Sequence, residues 1–206
     1  MKPHRRDALV LVLLTAACQP AHEGDDDGAD PTDPSDPARG AFVLPTTVPD
    51  TTSAPAVAGD AAGAIHAVYP AFAGGGAYYA HCEAGCRGPE DVHVVRFETE
   101  GTVANAMVAL DSSGRPQVLL SAYASVYYAA CQGDCTTPEG WGVGRVVDHG
   151  GDREVTGRAF ALDASGRPRF LMHTTVAYLG VGQKAPVTEW LACDQDCLSP
   201  GSWSST

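Results

Sequence analysis

The stretch Leu110–Trp141, LDSSGRPQVLLSAYASVYYAACQGDCTTPEGW, decides how the rest of the chain is read. An apolar run ends at Leu110, and Asp111-Ser-Ser-Gly114 follows it. Asp can bond the turn backbone through its own carboxylate, and Gly can take positive φ, so this is a turn signal. The run Arg115–Tyr123 comes next, then a second run from Val126 to Cys131. Cys131-x-x-x-Cys135 then leads through Pro138 to Trp141. Short apolar runs rich in Val and Tyr, cut at close intervals by turn residues, predict β-strands.

The same order of anchors occurs three times. Asp60, Asp111 and Asp163 each precede a Gly by three positions, at Gly63, Gly114 and Gly166. The cysteine pairs are Cys82/Cys86, Cys131/Cys135 and Cys193/Cys197. Pro89, Pro138 and Pro200 each stand three residues past the second Cys, and Val92, Trp141 and Trp203 six past it. Self-similarity at a period near 50 residues is the mark of a repeat architecture. The repeats run about 53–103, 104–155 and 156–206 within a domain 40–206.

Each repeat predicts four strands. The first strands are Ala54–Gly59, Ala104–Leu110 and Gly157–Leu162. The second are Ala64–Phe72, Arg115–Tyr123 and Arg167–Thr175, two of which open on Arg-Pro. The third are Ala77–Cys82, Val126–Cys131 and Val187–Cys193. Tyr78-Tyr79 and Tyr127-Tyr128 suit a half-buried pleated face, and Trp190 takes the second of those places in the last copy. The fourth strands start at Val92 or Trp141 and run to Phe97 or Val147.

A tandem unit of four strands resembles a β-propeller blade. The Asp-x-x-Gly turn and the terminal Trp resemble sialidase-like (BNR/Asp-box) propeller repeats over Ala41–Thr206, without the Ser before Asp or the Trp soon after Gly that the strict motif has. The resemblance implies an all-β fold, a partial propeller of about three four-stranded antiparallel blades, with the first strands toward the axis. A β-sandwich of short strands is the alternative. Ala41-Phe42-Val43-Leu44 looks like a further fourth strand that could close a ring. Closed propellers use about four to eight blades, so the expectation is a shortened or split reading frame of a longer propeller, with self-assembly of two three-blade halves as the rival.

The N-terminus reads as an address. MKPHRRDALVLVLLTAACQP has a basic start, a short apolar run from Ala8 to Leu14, and small residues before Cys18. Leu14-Thr15-Ala16-Ala17-Cys18 resembles the lipobox of bacterial lipoproteins, with Leu14 one place early. That resemblance implies a signal peptide 1–17 and lipidation at Cys18, hence a membrane partner through that lipid. Gln19 in place of Asp implies the outer membrane or cell surface. The competing reading is an ordinary cleavage site. Residues 18–39 hold seven acidic side chains and no aliphatic residue larger than Ala, which predicts a disordered, self-repelling tether. A calcium site at Asp25–Asp30 is the weaker reading beside a solvated spacer, since the run lacks the Gly at the fixed position and the terminal Glu of a calcium loop.

The formal net charge is −12, and loss of Lys2, Arg5, Arg6 and Asp7 with the leader takes it to −14. Such a surface repels nucleic acid. The six repeat cysteines, Cys82, Cys86, Cys131, Cys135, Cys193 and Cys197, are expected to pair within each copy as disulfides. The rival is zinc, with His81 beside Cys82, but Ala130 and Ala192 hold the equivalent places. No metal and no cofactor is expected. His66 takes the place of Gln117 and Arg169, and reads as solvated or hydrogen-bonded. No phosphate loop, nucleophile elbow or His-Glu-x-x-His is present. The expected function is therefore a lipid-anchored surface module that binds protein or glycan, or is structural, without catalysis. The alternative is a sialidase-like glycan hydrolase. On a propeller, the Asp turns and cystine loops would share one face. The opposite face would carry the variable connections, where Tyr123, Arg158, His173 and Tyr178 are the candidate ligand residues.

Overall fold

The computed structural model describes residues 55–71, 75–149, 153–176 and 187–205. The leader, Cys18, the acidic tether, Ala41–Leu44 and Tyr178 lie outside the described residues. Among the described residues, twelve strands form three four-stranded antiparallel sheets, each a plain meander. The first sheet is β1 (Ala56–Gly59), β2 (Ile65–Pro70), β3 (Ala77–Cys82) and β4 (Val92–Phe97). The second is β5 (Val103–Leu110), β6 (Pro116–Ala122), β7 (Ser125–Cys131) and β8 (Trp141–Asp148). The third is β9 (Arg153–Leu162), β10 (Pro168–Val176), β11 (Val187–Cys193) and β12 (Trp203–Ser205).

The Asp-x-x-Gly turns join first to second strands in all three sheets. Asp60 Oδ1 accepts from the N–H groups of Ala62 and Ala64, at 2.9 and 2.8 Å. Asp111 and Asp163 do the same for their own turns. Gly63, Gly114 and Gly166 all have positive φ, between 75° and 90°, where a Cβ would be strained. The turns also touch one another. A Cβ at Gly114 would lie 3.7 Å from the Cβ of Asp60, and one at Gly166 3.5 Å from that of Asp111. Arg115 and Arg167 close these turns, so the second strands begin at Pro116 and Pro168, one residue later than expected. Pro is tolerated at a strand start because no ladder bond is asked of its nitrogen.

The cysteine pairs close the link between strands three and four. The first Cys of each pair stands opposite the start of strand four: Cys82 faces Val92, Cys131 faces Trp141 and Cys193 faces Trp203. The second Cys lies in the connecting loop, and the paired Cα atoms are 5.6, 5.5 and 5.7 Å apart, within disulfide reach. Pro89, Pro138 and Pro200 each open a short 3₁₀ turn that delivers the chain to strand four. Trp141 and Trp203 donate their indole N–H to the carbonyl of Cys135 and Cys197, both at 2.9 Å. The offset of six from Cys to Trp is thus one closed loop.

The second sheet lies between the other two. Val68, Tyr79, Val95 and Phe97 of the first sheet pack with Val118, Leu120, Tyr127, Ala129 and Trp141 of the second. Leu119, Val126, Tyr128 and Val146 of the second pack with Phe170, Met172 and Leu191 of the third. First strands adjoin, β1 beside β5 and β5 beside β9. Polar clamps add to this packing: Asn105 Nδ2 donates to the Gly157 carbonyl, and Ser121 Oγ accepts from the Gly157 N–H, both at 2.8 Å. β9 starts earlier than the expected Gly157. Val155 N–H finds the Tyr123 carbonyl at 3.0 Å, and a bulge at Arg158 re-registers the strand.

Candidate functional site

The turn end holds the structural residues. Asp60, Asp111 and Asp163 are committed to their turns, and the N–H donors hold the carboxyls of Asp60 and Asp163 below the usual carboxylate range. For Asp60 the strongest pull is the bond from Ala64. For Asp163, partial desolvation pushes upward and is outweighed by bonds from the N–H groups of Arg167 and Ser165 and from the Arg167 side chain. A cleft of about 550 Å³ opens here between the second and third sheets, beside Tyr128, Arg167, Asp194 and Leu198. Its cations are already paired: Arg167 and Arg169 both meet Asp163 and Asp194, at 2.6–3.2 Å. Gln117, Tyr128 and Gly166 are joined in a row, since Tyr128 donates to Gln117 Oε1 at 2.6 Å and Gln117 Nε2 to the Gly166 carbonyl at 3.0 Å.

His66 takes the place of Gln117 in the first sheet and is buried, which corrects the solvated half of its sequence reading. It shares a 2.7 Å hydrogen bond with the Tyr79 hydroxyl, as Gln117 does with Tyr128. His81 stands across the strand pair with its ring centroid 4.8 Å away. Burial, reinforced by His81, pulls the His66 pKa below 6.5. Burial pushes the Tyr79 and Tyr128 hydroxyls up. Among the described residues, no three His, Cys, Asp or Glu side chains come together to hold a metal ion.

The loop end holds a second cleft, of about 430 Å³, between the β4–β5 loop and the β6–β7 turn. Glu100, Gly101, Tyr123, Ala124, Ser125, Arg145 and Asp148 line it. Arg145 projects from β8 and meets Glu100 Oε2 at 2.7 Å and Asp148 Oδ2 at 3.4 Å, both through Nη1. Those two carboxylates, Asp148 foremost, raise the Arg145 pKa further. Backbone bonds fix the walls. Glu100 N–H donates to the Tyr127 hydroxyl at 3.0 Å, and the Ala124 carbonyl accepts from His149 N–H at 3.0 Å. Tyr123 is 45% exposed at the rim.

Of the candidate ligand residues that are described, Tyr123 lines this cleft, and Arg158 and His173 do not. His173 lies at the same end, since it pairs with Thr156, next to the Val155 that bonds the Tyr123 carbonyl. Its Nδ1 is 3.0 Å from Thr188 Oγ1. Arg158 is the exposed bulge residue of β9. Glu100, Arg145 and Asp148 were missed. A signal existed for Arg145: it stands four past Trp141, as Arg96 stands four past Val92. Arg96 is spent differently, donating to Tyr78 and Gly75 and pairing with Glu98.

The class defined so far is an all-β repeat protein with a polar, aromatic-rimmed cleft. No family model matches the chain, and no curated protein matches it. Among solved structures, a luciferin-regenerating enzyme is similar at 10% identity and a TM-score of 0.38, covering 75% of this chain. This chain spans 44% of that one, under half its length.

Proposed function

We propose that the chain is a lipid-anchored, cell-surface module of the β-propeller type that binds a ligand at its loop end and does no chemistry. The observation that carries the binding reading is the Tyr123 cleft, which joins an exposed aromatic ring to a held guanidinium and two carboxylates. Three cysteine pairs at disulfide distance suit the oxidising surroundings a secreted protein meets. The lipobox-like Leu14–Cys18 and the acidic segment after it support an anchor and a spacer.

Blade-like stacking has its own support. Trp141 covers Tyr79 of the preceding sheet, and Trp203 covers Tyr128. Trp190 holds the matching position in the third sheet and is 39% exposed. A further sheet of the same build would cover it, so the three sheets read as part of a larger ring.

Palmitate labelling of the full chain in a bacterial host tests the anchor, together with protease accessibility on intact cells. Label is expected on the wild type and absent from Cys18→Ala, and the domain should be cut from outside. An unlabelled wild-type chain, or one shielded from protease, would end this reading.

A further inference from the structure

The binding-module reading above leaves open what is bound, and the following rests on it. We propose that the cleft at Glu100, Tyr123, Arg145 and Asp148 takes a neutral glycan, a polyhydroxylated ring with one apolar face. The first reason is the mixture of surfaces. Tyr123 offers an exposed ring, and its hydroxyl has no hydrogen-bond partner among the described residues. A sugar ring presents axial C–H groups on one face that lie flat on such a platform.

The second reason is the spacing of donors and acceptors. Arg145 uses Nη1 alone for both carboxylates, which leaves Nε and Nη2 without hydrogen-bond partners among the described residues. Glu100 uses Oε2 alone, which leaves Oε1. A donor fork beside an open acceptor matches neighbouring hydroxyls, each of which both donates and accepts.

The third reason is charge. One cation flanked by two carboxylates, on a chain of net charge −12, repels anions. A cationic ligand would find Arg145 already between those carboxylates. A peptide adding a strand would need free backbone groups, yet the carbonyls of Tyr123 and Ala124 are taken by Val155 and His149. The volume, about 430 Å³, falls in the ordinary range for small-ligand sites, about 300–1,000 Å³.

The test is calorimetric titration of the purified full chain, held in a detergent without a sugar headgroup, with chitohexaose, cellohexaose and maltohexaose. At least one is expected to bind. Tyr123→Ala should weaken it tenfold or more, Tyr123→Phe less than threefold, and Arg145→Met at least fivefold. Amide shifts in the wild type, read by NMR without any variant, should centre on Gly101, Ala124 and Ser125. Failure of all three sugars, shifts centred elsewhere, or tighter binding of polygalacturonate or an oligolysine peptide would overturn the proposal. Palmitate labelling is untouched by any of these results, so a failed glycan and a failed anchor are told apart.

Discussion

Trp141, the first residue of β8, stands edge-on to Tyr79 of β3, with ring centroids 4.7 Å apart and planes at 62°. The same indole meets Phe97 at 4.8 Å and donates its N–H to the Cys135 carbonyl. One residue therefore ties a cystine loop to its own strand and seats one sheet on the next. Edge-to-face pairs of this kind add about 0.5–1.5 kcal/mol beyond the area they bury.

Truncating that residue should be costly. Trp141→Ala is expected to lower unfolding free energy by about 3–5 kcal/mol, as for large aromatic-to-Ala changes in cores. Trp141→Phe keeps a ring and loses the indole bond, for a smaller loss of about 1–2 kcal/mol. Urea midpoints with an unchanged slope would measure both. Equal losses in the two variants would mean the indole N–H outweighs the seating.

Gly144 marks a close approach of backbones. A Cβ there would strike the carbonyl group of Leu198, in the cystine loop of the third repeat, whereas one at Gly142 meets mainly the flexible tip of the Leu198 side chain. Gly144→Ala should therefore cost more than Gly142→Ala, with overpacking of about 1–3 kcal/mol expected at Gly144. Thermal melts of the pair check the order, and a reversal would show that the loop yields more easily than the side chain.

Acid should weaken the fold in two windows. His66 has its pKa lowered by burial, so the folded chain keeps it neutral while the unfolded chain takes a proton near pH 6.5. The unfolded state then binds more protons, and stability falls as pH drops through 6.5 toward the lower folded value. His66→Gln, which copies the Gln117–Tyr128 bond, should flatten this part of the curve. Asp60 acts lower down: its folded pKa lies under 3.8, so its contribution is present above that value and lost as pH falls further. Urea unfolding from pH 8 to pH 3 measures both.

Ser121 is buried and accepts the Gly157 N–H. Ser121→Ala leaves that donor without its acceptor and should cost about 1–3 kcal/mol. Hydrogen exchange at the Gly157 amide gives a local readout, and protection should fall there first.

The six repeat cysteines should resist alkylation before reduction. Closing loops this short should contribute about 2 kcal/mol per bridge. Reduction is expected to lower the melting temperature without dispersing the sheets, read by far-UV circular dichroism. Modification of any of the six in the unreduced protein would break the pairing.

Much of this was legible along the chain because it is local. The Asp-x-x-Gly turns are set within a few residues by one carboxylate and one achiral carbon. The strand runs follow because alternation and punctuation are local as well. Exact starts were less legible: Arg115 went to its turn, and β9 grew by four residues because Tyr123, in the β6–β7 turn of the neighbouring sheet, offered its carbonyl to Val155. The cleft was half legible. Tyr123 ended a predicted strand beside a variable connection, but the offset of Arg145 from Trp141 did not by itself bring it to Tyr123 or Glu100. Those residues meet because two neighbouring sheets bring a loop and a strand end together.

The repeat, the turns, the four strands of each unit and the pairing partners of its cysteines are written locally along the chain. Each depends on residues a few positions apart, where chain connectivity already confines the geometry. Which Trp covers which Tyr, why Gly142 and Gly144 must be small, the burial of His66 and the place of the cleft emerge when the sheets pack. Those facts depend on contacts between sheets, formed where apolar faces shed water and side chains interdigitate, and no spacing along one strand encodes them.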